Sequence, residues 1–153
     1  MANGMLPELK RLVSRRLCLL ADEGNVLAGT YSSGANEYVV LITYLKSESR
    51  LTLMVSDKIL PFLSEREKLL VTLGKLNNDA LCGVHQLMAF PGGVIYAYKQ
   101  TLWLQGELTG ELFDGLLADG VHEFDVGVQR FCQCIESGLR GHGQQSGSKS
   151  DTE

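Results

Sequence analysis

KLNNDALCGVHQLMAFPGGVIYAYKQTLWL, residues 75–104, is the stretch whose reading decides the fold. Lys75-Leu76-Asn77-Asn78 closes a segment in which Leu69, Leu70, Leu73 and Leu76 supply one apolar helix face. Two runs rich in β-formers follow, 84–90 and 94–104, and Phe90-Pro91-Gly92-Gly93 between them is hairpin-turn chemistry. Upstream, Ser64 and Glu67 have the spacing of a capping box, each able to satisfy an orphan backbone donor. Gly83, after Cys82, is placed to close the helix in the left-handed conformation. The stretch therefore predicts a helix feeding a β-hairpin.

Reading outward from it, Pro7 suits the first turn of a helix, where a missing N–H costs nothing. Leu9, Val13, Leu17 and Leu20 then form an apolar stripe, and residues 22–25 end the helix. Strands are expected at 26–31, 37–45 and 50–56, and the short connections between them favour an antiparallel meander. Beyond the hairpin, Thr109 is a good N-cap. Leu112, Phe113, Leu116, Leu117, Val121, Phe124, Val128, Phe131 and Ile135 follow at helical spacing. Gly115, Gly120 and Gly127 each weaken a helix interior by roughly 1 kcal/mol relative to alanine, so a bend or break is expected near Gly120. Gly, Ser and Gln dominate from residue 138 onward. The expected organisation is one domain over 1–138 and a disordered tail over 139–153. The order is α-β-β-β-α-β-β-α, an α+β architecture with an antiparallel sheet packed against helices.

A chain of 153 residues buries roughly 68% of the surface its unfolded form exposes. A net charge of -4 argues against nucleic acid as a partner, because phosphate neutralisation needs a clustered basic surface. Lys10, Arg11, Arg15 and Arg16 form one such cluster, and they read as the solvated face of the first helix. No secretory signal opens the chain, and no apolar run approaches the ~18 residues of a membrane span. Cys18, Cys82, Cys132 and Cys134 contain no CxxC pair and read as reduced, mostly buried thiols of a cytoplasmic protein.

The same residues offer little chemistry. His122 and Glu123 are consecutive on a helix and diverge by about 100°, His142 falls in the tail, and no Cys/His signature accompanies His85. Pro91-Gly92-Gly93 lacks the Lys-Ser/Thr ending of a phosphate loop. Tyr96 and Tyr98 share one strand face and Trp103 takes the other. The one nearby lysine, Lys99, falls short of the charged groove of a single-strand binder. Asp114, Asp119 and Asp125 sit in a helix, away from the strand ends where a receiver domain holds its phosphoacceptor. No catalytic residue, cofactor site or metal site is expected.

From Glu65 to Ile135 the chain resembles the YbjN family, often labelled bacterial sensory transduction regulators. The resemblance rests on Lys75-Leu76-Asn77 ending the middle helix and on the return strand Val94-Ile95-Tyr96-Ala97-Tyr98. Leu108-Thr109-Gly110-Glu111-Leu112-Phe113 opens the last helix in the same way. That family looks like the class I type III secretion chaperones in fold. The resemblance implies a small acidic homodimer that binds polypeptide and carries no catalytic residues.

One further pattern points to a partner. Tyr38, Val40, Ile42 and Tyr44 fall on one face of the second strand and Val39, Leu41 and Leu45 on the other, with Leu51, Leu53 and Val55 similar in the third. An antiparallel sheet covered on one side normally alternates apolar with polar, so a second apolar face implies a second cover, either a subunit, another helix or bound chain, or the long last helix of the chain itself. The expectation is a non-enzymatic, chaperone-like or regulatory module that holds a polypeptide partner on Tyr38, Val40, Ile42, Tyr44, Leu51, Leu53 and Val55, or by strand addition. The competing expectation is a small-molecule or enzymatic domain using the sheet–helix cleft, with Asn77, Asn78, His85 and Gln86 as its polar groups.

Overall fold

The computed structural model describes residues 5–60, 66–80, 82–90 and 93–147. Helix α1 (Met5–Arg16) leads into four strands: β1 (Cys18–Asp22), β2 (Val26–Ser33), β3 (Asn36–Leu45) and β4 (Arg50–Leu60). Helix α2 (Arg66–Asp79), the hairpin β5 (Gly83–Phe90) and β6 (Gly93–Trp103), and helix α3 (Gly110–Gly147) complete the order. The strands form one antiparallel sheet in the order β1-β2-β3-β4-β6-β5. The fold is α+β, as the sequence predicts, with the hairpin return strand β6 inserted beside β4 and β5 left at an edge.

Strand β1 is the element that the apolar stripe conceals. Leu17 still closes a helical bond to Val13 O at 2.8 Å, but the next residues pair with β2, Cys18 opposite Thr30 and Asp22 opposite Leu27. The run Cys18-Leu19-Leu20-Ala21 serves either period, and β2 decides the outcome by supplying partners for its backbone. Leu20, expected on the buried stripe, is consequently 63% exposed.

The core lies on one side of the sheet, where alternate residues of each strand meet the helices. Leu9 and Val13 of α1, Leu27 of β2, Ile42 of β3 and Leu53 of β4 are buried there. Tyr96 of β6 and Phe113, Phe124 and Phe131 of α3 join them. The N-cap reading holds, since Leu112 N–H donates to Thr109 Oγ1 at 3.1 Å. Helix α3 runs without the expected break at Gly120. That glycine is buried against β4, and a Cβ there would lie 2.8 Å from Leu53 Cδ2, so the missing side chain lets the helix approach the sheet. The boundary expected at 138 falls inside α3. Ser64 of the expected capping box, and Pro91 and Gly92 of the turn, lie outside the described residues. Pairing of Phe90 with Gly93 confirms the hairpin. Gly83 opens β5 where helix closure was expected, and Leu70 and Leu112 are exposed where burial was expected.

Candidate protein-binding surfaces

The seven residues chosen from the sequence as a binding surface sit in the core. Tyr38, Val40, Ile42 and Tyr44 of β3 and Leu51, Leu53 and Val55 of β4 are all buried beneath the helices. This corrects the choice of face. Strand alternation separates two sets of residues, but which set the helices cover depends on tertiary packing. A partner reaches these seven only if the helical layer leaves.

The opposite set, Val39 and Leu41 on β3 with Thr52 and Met54 on β4, belongs to the other face of the sheet. Pairing carries that face onward to Lys99 and Ala97 of β6 and to Val84 and Gln86 of β5. Its apolar members are open to a large extent: Val39, Val84 and Met88 are exposed, and Trp103 is 60% exposed. A shallow cleft between β5 and β6, lined by Val84, Gln86, Lys99, Thr101 and Trp103, marks this side. Tyr96 and Tyr98 point the other way, into the core, as expected from their alternation with Trp103.

The two edges of the sheet differ. At the β5 edge, Asn77 of α2 takes both outward-facing backbone groups of His85: His85 N–H donates to Asn77 Oδ1 at 2.7 Å, and Asn77 Nδ2 donates to His85 O at 3.0 Å. One side-chain amide thus stands in for a neighbouring strand and blunts the edge. The β1 edge carries exposed residues throughout, Leu19 and Leu20 among them. It is short, and its register shifts between Leu19 and Ala21, a bulge that limits but does not close it.

A polar cluster lies between β5, β6 and α3. His85 is 2% exposed, with Nδ1 2.6 Å from Tyr96 Oη and Nε2 3.9 Å from a Glu123 carboxylate oxygen. Burial pushes the imidazole below its usual value, and Glu123 partly opposes that shift. Burial also pushes Tyr98 up to about 12 and Tyr96 higher still, with Glu123 adding to both. Tyr96 stacks on Phe124 with ring centres 4.9 Å apart. So His85 does lie near a carboxylate, with Nδ1 bonded to Tyr96 and Nε2 beyond hydrogen-bond distance of the half-exposed Glu123. The sheet–helix cleft that a small-molecule reading would use is lined by other residues, among them Gln100, Thr109, Glu111 and Asp119. Asn77 and His85 come together only through the backbone bonds at the edge.

Lys10, Arg11 and Arg16 of α1 are engaged in surface ion pairs. Arg16 binds Asp114 at 2.7 Å, Lys10 lies 3.3 Å from Asp22, and Arg11 pairs with Glu8. Cys18, Cys82 and Cys132 are exposed free thiols, which corrects the expectation of mostly buried cysteines. No helix among the described residues is long and apolar enough to cross a membrane, and they contain no group of three or more potential metal ligands.

No protein-family model matches the chain. No curated protein matches it at a significant level. Among solved structures, the chain superposes on the crystal structure of YbjN, "a putative transcription regulator from E. coli", with a TM-score of 0.58 at 13% identity. The match covers 89% of this chain and 93% of that one. The likeness is one of fold, and it spans nearly the whole of both chains: this protein has a YbjN-like fold.

Proposed function

We propose that this chain is a non-enzymatic polypeptide-binding module, a chaperone-like protein or regulatory adaptor that works as a homodimer. The observation that carries the reading is where apolar surface is left over. Leu19, Leu20, Val39, Val84, Met88 and Trp103 are all exposed on the sheet, while its polar groups are bonded to one another inside. An exposed apolar sheet with one blunted edge and one open edge suits capture of extended chain by strand addition at β1, where main-chain bonds give affinity. A regulatory role of the kind named for YbjN would then act through another protein. The ion-paired bases of α1 on an acidic chain do not form the basic footprint of direct DNA binding.

The test is affinity recovery of the tagged full chain from its native cells, with mass spectrometry against a Leu20→Asp variant. Leu20 is exposed, so the variant keeps its circular dichroism, and a charge on the edge opposes strand pairing. Partners held by the parent and lost from the variant support the reading. Recovery of the bait alone in both removes it.

A further inference from the structure

The helices cover one face of the sheet, and among the described residues nothing of this chain covers the other. We propose that this second face packs against the same face of another copy of the chain, so that two sheets form the centre of the dimer. The inference rests on the homodimer in the reading above and specifies its interface.

Area is the first argument. Six strands at about 4.8 Å spacing span roughly 24 Å, and strands β3, β4 and β6 of 10, 11 and 11 residues run roughly 33 Å. Their product is roughly 800 Å², which is what each partner buries in a stable interface of standard size. The exposed pair Leu70 and Val71 on α2 and the five residues of β1 offer far less.

Composition is the second. Val39, Leu41, Met54, Val84, Met88 and Trp103 place valine, leucine, methionine and tryptophan on a face otherwise furnished largely with threonine, serine and alanine. Enrichment in methionine and aromatic residues marks the centre of an interface, and Lys99 is the one charge in the central row Leu41–Met54–Lys99–Val84. The third argument is self-complementarity, because a two-fold contact sets a surface against its own image. Arg50 is paired with Glu48 at 3.2 Å. Lys99 stands mid-strand on β6 between Met54 and Val84, Glu37 lies near the start of β3, and the two are of opposite sign. Their copies can meet as unlike charges across the axis.

The test uses the purified full chain in sedimentation velocity over a wide concentration range. The parent is expected at twice 16.8 kDa. Val39→Lys combined with Val84→Lys is expected at the monomer mass with unchanged circular dichroism, since both positions are exposed. Val71→Lys on α2 is expected to leave the dimer intact. A reading that needs no variant uses Trp103, the chain's single tryptophan: its emission should shift to the red as dilution dissociates the dimer. A monomeric parent overturns the proposal. So does a dimer that survives the two lysines, one that falls apart on Val71→Lys, or a dissociation that leaves Trp103 emission unmoved. A monomer that still recovers a partner through β1 overturns this inference together with the homodimer it rests on, and leaves the polypeptide-binding reading standing. A dimer that recovers none removes the polypeptide-binding reading and leaves the interface standing.

Discussion

Gly127→Ala and Gly115→Ala are the same substitution in the same helix, and the structure assigns them opposite signs. At Gly115 a new Cβ meets nothing within 4 Å, so the variant keeps the full helix-propensity advantage of alanine, about 1 kcal/mol. At Gly127 a Cβ would lie 1.8 Å from Tyr96 Oη and 2.5 Å from the ring carbon that bears it. Tyr96 or α3 must move. Overpacking of a filled core costs about 1–3 kcal/mol. Displacing the hydroxyl also strands His85 Nδ1, now bonded at 2.6 Å, and an unsatisfied buried group costs about 1–3 kcal/mol more. Allowing for propensity, Gly127→Ala is expected to destabilise by roughly 1–5 kcal/mol and to melt roughly 2–20 °C lower. Urea denaturation of both variants measures the contrast, with equal m-values confirming that midpoints report stability. A Gly127→Ala protein as stable as Gly115→Ala would mean that Tyr96 does not seat against the α3 backbone, and the close approach of helix and sheet would be refuted.

Three further outcomes follow from the same packing. Ile42 is 0% exposed, so Ile42→Asp places an unpaired carboxylate in the core and should abolish the cooperative unfolding transition; a sharp melt near the parent's would contradict the burial. His85 titrates below its usual value when folded, and Tyr96, Tyr98 and Glu123 are the titratable groups facing it. The unfolded chain therefore takes up this proton first. Stability is full above about pH 6.5 and falls as pH drops from there toward the folded value, by up to about 1.4 kcal/mol per unit. A His85→Asn variant should lose that part of the slope in denaturation between pH 5 and 7, and a slope unchanged by the substitution would show that other groups set it. Asn77→Ala removes both bonds that blunt the β5 edge and should cost about 1–3 kcal/mol, with faster amide exchange at His85 by NMR; unchanged protection of that amide would place its partner elsewhere.

The hairpin and the final helix were readable because each signal is local. Phe90-Pro91-Gly92-Gly93 sits between two β-rich runs, and Thr109 precedes a long apolar periodicity. The failures are those in which a distant segment decides. Leu20 fits a helical stripe with Leu17 until β2 pairs with Leu19 and Ala21 on either side of it, which no local pattern reveals. Gly120 reads as a helix weakness, yet its place against Leu53 makes the small residue a packing requirement. The candidate surface failed in the same way. Tyr38 and Val39 alternate correctly, but the side that α3 covers is fixed by Tyr38 Oη donating to Asp125 at 2.9 Å and by the Phe124 ring edge-on to Tyr38. Those partners lie more than eighty residues away. Asn77 carried a signal that was noticed as a helix ending and not as an edge seal, because its role appears only once β5 is known to be outermost.

His85, Tyr96 and Glu123 carry the groups that acid–base chemistry uses, and in the fold they lie between β5, β6 and α3. Three of the four polar groups of His85 are bonded from within, Nδ1 by Tyr96 and both backbone groups by Asn77, while Nε2 stands 3.9 Å from a Glu123 carboxylate oxygen, beyond hydrogen-bond distance. Burial pushes Tyr96 and Tyr98 further above the ordinary phenol value, at which both hydroxyls are already protonated at neutral pH. A satisfied buried polar network ties elements into one arrangement, because any shift of α3 against β5 and β6 leaves its members unpaired. The network thus fixes the helical layer on the inner face, with Gly127 as its steric counterpart on α3. Rigid cover on that side means that binding at β1 or across the open face need not disturb the core. A sheet clamped on one face and apolar on the other leaves the proposed binding to the open face and the β1 edge, away from the core.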